Sequence, residues 1–153
     1  MKRADLQHLI ASKNKKGPYL EGNLLGGSPM GIKAIYDVAK CGGSIGTHKL
    51  IDQDGNLAVV PKGAIVKFAL FDEVTALDSA NDTGRFALHI QSANDLVSAT
   101  VISSLTGTVA LAPLNTAATA IKMTDERNIT ATIDQEVITA GKFNVFVEYV
   151  FSD

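Results

Sequence analysis

Hydrophobic and polar positions alternate along several stretches of this chain. In Gly63–Val74, Val66, Phe68 and Leu70 share one side, with Lys67 and Glu73 on the other. Residues 85–91 repeat the design, with Phe86, Leu88 and Ile90 on one side and Arg85, His89 and Gln91 on the other. Ile129, Ala131 and Ile133 alternate with Thr130, Thr132 and Asp134. Near the C-terminus, Phe143, Val145, Val147, Tyr149 and Phe151 form one face, opposite Asn144 and Glu148. A period of two marks antiparallel strands with one buried face. Turn-forming clusters separate them: Asp52–Asn56, Pro61–Gly63, Ser79–Gly84 and Thr139–Lys142. Asp95–Leu105 reads two ways, as a short helix after Asn94-Asp95 or as a strand, and Thr100-Val101-Ile102 tips it towards strand. The pattern predicts an all-β fold, an antiparallel β-sandwich of jelly-roll-like kind, from about Ile32 to Asp153.

The first 31 residues read differently. Asp5 can cap a short helix over residues 5–12, with Leu6, Leu9 and Ile10 on one face. From Lys13 to Gly31, Pro18, Pro29 and five glycines exclude a regular element, so residues 1–31 form an extended N-terminal arm on a sandwich domain of residues 32–153. Tyr19, Leu20, Leu24, Leu25 and Met30 are too many apolar residues for an inert tether, and suit packing on the chain's own body or on a neighbour.

Charge sharpens this division. Residues 1–16 hold Lys2, Arg3, Lys13, Lys15 and Lys16 against Asp5 alone, a net +4, and the remainder has nine basic and fifteen acidic residues, a net −6. A basic arm on an acidic body either docks onto something negative or is a solvated terminus. Cys41 is the lone cysteine, which excludes an intrachain disulfide and a cysteine-based metal cluster. No apolar run approaches the roughly 20 residues of a helical membrane span, and no signal-peptide core follows the charged N-terminus. The sequence is therefore read as a soluble chain, made and used without export.

Candidate chemistry is sparse. Gly42-Gly43-Ser44-Ile45-Gly46 matches the G-x-S-x-G nucleophile elbow, but an extended segment, Thr47–Ile51, follows where a helix is needed, so the glycines read as a turn. Asp82-Thr83-Gly84 matches the triplet of dimeric aspartic proteases, yet Ser79-Ala80-Asn81 precedes it instead of an apolar strand. Asp52-x-Asp54-Gly55 resembles the start of a calcium loop, but Gly63 stands where the closing glutamate belongs. His8, His48 and His89 have no metal-site spacing. The reading is a non-enzyme with no catalytic residues, no metal and no cofactor.

Three blocks carry a resemblance to a family of small virion proteins of tailed phages. They are Ala34-Ile-Tyr-Asp-Val-Ala39 with Gly42–Leu50; Val60-Pro-Lys-Gly-Ala-Ile-Val66 leading through Phe68–Thr75 to Phe86–Ile90; and Arg127-Asn-Ile-Thr130 with Ile138-Thr-Ala-Gly-Lys142 and Val145–Val150. All three are turns and strands, not active-site motifs. The resemblance implies a jelly-roll-like capsid decoration or cement protein. Such a protein is synthesised in the host bacterial cytoplasm, sits on the capsid surface, acts as a homotrimer and binds the major capsid protein, with no membrane and no direct nucleic-acid role. Residues 1–31 depart from the family pattern and are expected to be an attachment arm. The candidate shell contacts are accordingly Lys2, Arg3, Lys13, Lys15, Lys16, Tyr19, Leu20, Leu24, Leu25 and Met30. Two other readings stay open: a tail, neck or head-fibre component, and a carbohydrate-binding β-sandwich. The latter is disfavoured by the absence of tryptophan and the inward assignment of most aromatics.

Overall fold

The computed structural model describes residues 30–111 and 120–151, and within them the chain is an antiparallel β-sandwich. The strands are β1 (Met30–Asp37), β2 (Gly46–Lys49), β3 (Val59–Val60), β4 (Ala64–Ser79), β5 (Arg85–His89), β6 (Val97–Val101), β7 (Thr108–Ala110), β8 (Ile121–Lys122), β9 (Arg127–Asn128), β10 (Thr130–Asp134) and β11 (Ile138–Phe151). One turn of helix, α1 (Val38–Cys41), follows β1; the Asp37 side chain caps it by accepting from the Ala39 N–H at 3.0 Å. The large sheet runs β1-β11-β4-β7, with β8 also paired to β4; the small sheet runs β2-β10-β5-β6; and β3 pairs with β9. The Asp95–Leu105 stretch resolves into β6 followed by a 3₁₀ turn at Ile102–Ser104.

The core lies between the two sheets, and an aromatic stack bridges them. Tyr36, Phe71 and Phe143 come from the large sheet and Phe86 from the small one, all fully buried. The Phe143 ring lies 5.0, 4.9 and 5.3 Å from those of Tyr36, Phe71 and Phe86, respectively. Such pairs add about 0.5–1.5 kcal/mol each beyond their buried area. Tyr36 keeps its polar end satisfied by donating its hydroxyl to the Gly42 carbonyl at 2.6 Å. Around the stack, Leu88 and Ile90, then Ile129, Ala131 and Ile133, then Val145, Val147 and Tyr149 point inward as their alternation predicts.

Four expectations need correction, and strand irregularity explains two of them. Phe68 and Leu70 do not share the inner side with Val66. The register passes from Tyr149↔Val66 to Glu148↔Phe68, so Lys67 is an extra residue on β4. Such a bulge reverses the side on which every later residue points. Ala69 and Phe71 are therefore buried, while Phe68 is 46% exposed on the outside. Likewise, Thr139–Lys142 is not a turn but part of β11, whose pairing with β4 slips there. Gly141 has φ +123°, and a Cβ on it would stand 2.6 Å from Leu77 Cα. The glycine serves a close strand crossing, not a chain reversal. Third, Phe151 is aligned with the inner face but lies past the core's edge, 41% exposed. Fourth, Asn144 points outward as expected, yet it is buried beside Ile35 and Asp72, its neighbours in the register.

Candidate interaction surfaces

The motifs considered for catalysis fold as turns. Gly43 touches the end of the molecule where β11 begins: its carbonyl accepts from the Ile138 N–H at 2.8 Å, and a Cβ at this position would fall 1.8 Å from the Ile138 oxygen. His48 stands over the same loop. Its Nδ1 lies 2.8 Å from the Cys41 carbonyl oxygen and its Nε2 lies 2.7 Å from the Ser44 carbonyl oxygen. Both ring nitrogens thus face main-chain carbonyls rather than the Ser44 hydroxyl. At Asp52–Asn56, the Asp52 carboxylate accepts from the Asp54 and Asn56 N–H groups at 2.9 Å each, an Asx turn. Among the described residues, no three His, Cys, Asp or Glu side chains form a group able to hold a metal. No helix of these residues is long and apolar enough to cross a membrane.

The Asp82-Thr83-Gly84 turn contains a feature that the sequence does not announce. Asp82 takes the left-handed φ of +56°, and the turn wraps around Glu136, from the β10–β11 connection. The Glu136 carboxylate accepts from Ser79 Oγ at 2.8 Å, Asn81 Nδ2 at 2.8 Å, the Asn81 N–H at 3.0 Å and Thr83 Oγ1 at 3.0 Å. These bonds, the one from Ser79 foremost, hold its pKa down at about 2. The donors gather in a Ser/Asn/Thr turn, a legible signal, but the acceptor lies more than fifty residues away in sequence.

The small sheet's outer side is a polar network. His89 Nδ1 accepts from the Asn94 N–H, so its proton sits on Nε2 and is donated to Thr132 Oγ1 at 2.8 Å. Thr132 is then free to donate to Thr47 Oγ1 at 2.9 Å. Burial lowers the His89 pKa, partly opposed by nearby Asp95, which itself accepts from the Ile90, Gln91 and Ser92 N–H groups.

The outer side of the large sheet carries an apolar patch. Ile65 pairs with Val150, and Leu70 lies between Phe146 and Ala110, while Phe68 is opposite Glu148. Phe146 is 37% exposed, and the Lys33 ammonium sits 5.8 Å from its ring centre. Of the residues expected at the capsid interface, only Met30 is described; it opens β1 opposite Tyr149. Lys2, Arg3, Lys13, Lys15, Lys16, Tyr19, Leu20, Leu24 and Leu25, with the expected 5–12 helix, lie outside the described residues.

No protein-family model matches the chain, and no curated protein sequence does. Solved structures share its fold. A chain in the acid-stable capsid of Helicobacter pylori bacteriophage KHP30 matches with a TM-score of 0.57 and 13% identity, over 84% of this chain and 91% of that one. A chain in the cyanophage Pam1 capsid asymmetric unit matches with a TM-score of 0.57 and 17% identity, over 83% and 87%. A chain in the capsid of Ralstonia phage GP4 matches with a TM-score of 0.57 and 16% identity, over 84% and 87%. At these identities the likeness is one of fold.

Proposed function

We propose that this chain is a structural protein of a phage head, a decoration or cement subunit that binds the outer capsid surface and bridges major capsid subunits. One observation carries the reading: the fold, over 83–84% of the chain, recurs in chains of three phage capsids. The motifs weighed for chemistry are consistent with it, since Asp52 closes its own turn and Thr83 donates to Glu136. In this role the protein works through buried area. A specific bridge between shell subunits needs about 1,000 Å² of interface. Assembly as a homotrimer multiplies each contact, because the second and third attachments become intramolecular. The basic N-terminal arm, with Lys2, Arg3, Lys13, Lys15 and Lys16 in its first sixteen residues, supplies an electrostatic contact to an acidic shell surface.

The test is reconstitution. Capsids of the phage that carries this chain are stripped of accessory proteins and incubated with the purified full-length protein, and bound copies are counted after the shells are pelleted. Saturation at a number set by the capsid symmetry axes, with a higher temperature for DNA release, is the expected result. Failure to bind, or binding only at the tail vertex, overturns the reading.

A further inference from the structure

We infer that the outer face of the large sheet is the seat of the chain's own segment Tyr19–Leu25. In a two-layer sandwich of antiparallel strands, the outer face ordinarily carries polar side chains. Here Ile65, Phe68, Leu70, Phe146 and Val150 project outward from β4 and β11, and both phenylalanines are well exposed. A groove of about 430 Å³ runs beside them, walled by Gly31, Lys33, Phe68, Phe146 and Glu148. A second groove, of about 360 Å³, adjoins it across Gly31–Lys33 and is walled by Asp52, Asp54 and Leu57.

The point where the chain enters the sandwich selects the occupant. β1 begins at Met30, so the polypeptide preceding Met30 leaves the fold beside both grooves. Phe68 on β4 lies two strand spacings from β1, about 10 Å across the sheet. The five-residue step from Leu25 to Met30 reaches up to about 17 Å when extended, which is enough to lay Leu24 and Leu25 over Phe68 and Phe146. The segment has the matching chemistry, Tyr19, Leu20, Leu24 and Leu25 for the apolar face, with Lys13, Lys15 and Lys16 just upstream for Asp52, Asp54 and Glu148. A tether this short keeps the local concentration of the segment high, favouring the body of the same chain over another copy. Of the arm's basic residues, Lys2 and Arg3 then remain for an outside partner. This inference stands independently of the capsid reading and needs no shell for its test.

The chain has no tryptophan, so Phe146→Trp places a sole tryptophan on the face, excited selectively over the three tyrosines. In the full-length protein, its emission is expected to be blue-shifted, shielded from acrylamide and unchanged by dilution. Leu20→Asp, Leu24→Asp and Leu25→Asp, introduced together, should move the emission to the red and raise its quenching by acrylamide while the far-UV circular dichroism is retained. Phe68→Asp, made separately from the other side of the contact, should do the same. A reporter that emits like free indole in the otherwise unchanged chain overturns the inference. So does one whose emission and quenching do not change in the triple variant, or that loses its shielding on dilution, which would assign the face to a second copy.

Discussion

On the outer side of the small sheet, Thr47, Thr132 and His89 hydrogen-bond to one another and to the main chain, so each polar group is occupied by its neighbour. On the outer side of the large sheet, Phe68 and Phe146 are turned outward with much of their surface uncovered. Both sheets fill the core with the same kinds of side chain. The difference lies in what each outer face is complete with. The Thr47–Thr132–His89 cluster satisfies itself, whereas an exposed apolar patch rimmed by charges such as Lys33 and Glu148 is the signature of a surface that meets something else. A face that meets a partner is selected for that contact, and so it departs from simple inside-outside alternation.

The sharpest test of this contrast compares two phenylalanines on one strand. Phe71→Ala, which opens the aromatic stack, should destabilise by about 3–5 kcal/mol, whereas Phe68→Ala on the outer face should change stability by under about 1 kcal/mol. Urea titrations of the two variants measure both. Equal losses would mean that the bulge at Lys67 does not reverse the strand's sides. Next in size is Gly141→Ala, which forces a Cβ into the β4 backbone at a backbone angle that suits only glycine. It should cost about 1–3 kcal/mol, read as a lowered unfolding midpoint. On the small sheet, Thr132→Val keeps the shape but leaves His89 Nε2 without its acceptor, and the expected loss is about 1–2 kcal/mol in the same assay. The smallest effect at neutral pH concerns the link between the sheets. Glu136 has its pKa lowered in the folded protein, so its stabilisation is fully present above about pH 4.5 and is lost as the pH falls towards about 2. Tm measured across that window should fall, and Glu136→Gln should fall less steeply over the same range.

Much of this architecture is legible in the chain. The strands carrying Phe86-x-Leu88-x-Ile90, Ile129-x-Ala131-x-Ile133 and Val145-x-Val147-x-Tyr149 stand where their alternation puts them, and the turns at Asp52–Asn56, Pro61–Gly63 and Ser79–Gly84 are where the breakers lie. Each of these depends on neighbours in sequence. Glycine is ambiguous in this respect, and so Thr139–Lys142 reads as a turn although Gly141 serves a strand crossing.

The sequence by itself therefore determined the fold class and the main strands, because backbone conformation and side-chain alternation are local properties. Only the tertiary structure decided that Phe71 and not Phe68 is inside, through a one-residue bulge that depends on how β4 pairs with β11. It also decided that Glu136 closes the Ser79–Gly84 turn. Pairing register and long-range hydrogen bonds are set by the sum of contacts across the sandwich, and no short stretch of sequence holds that sum.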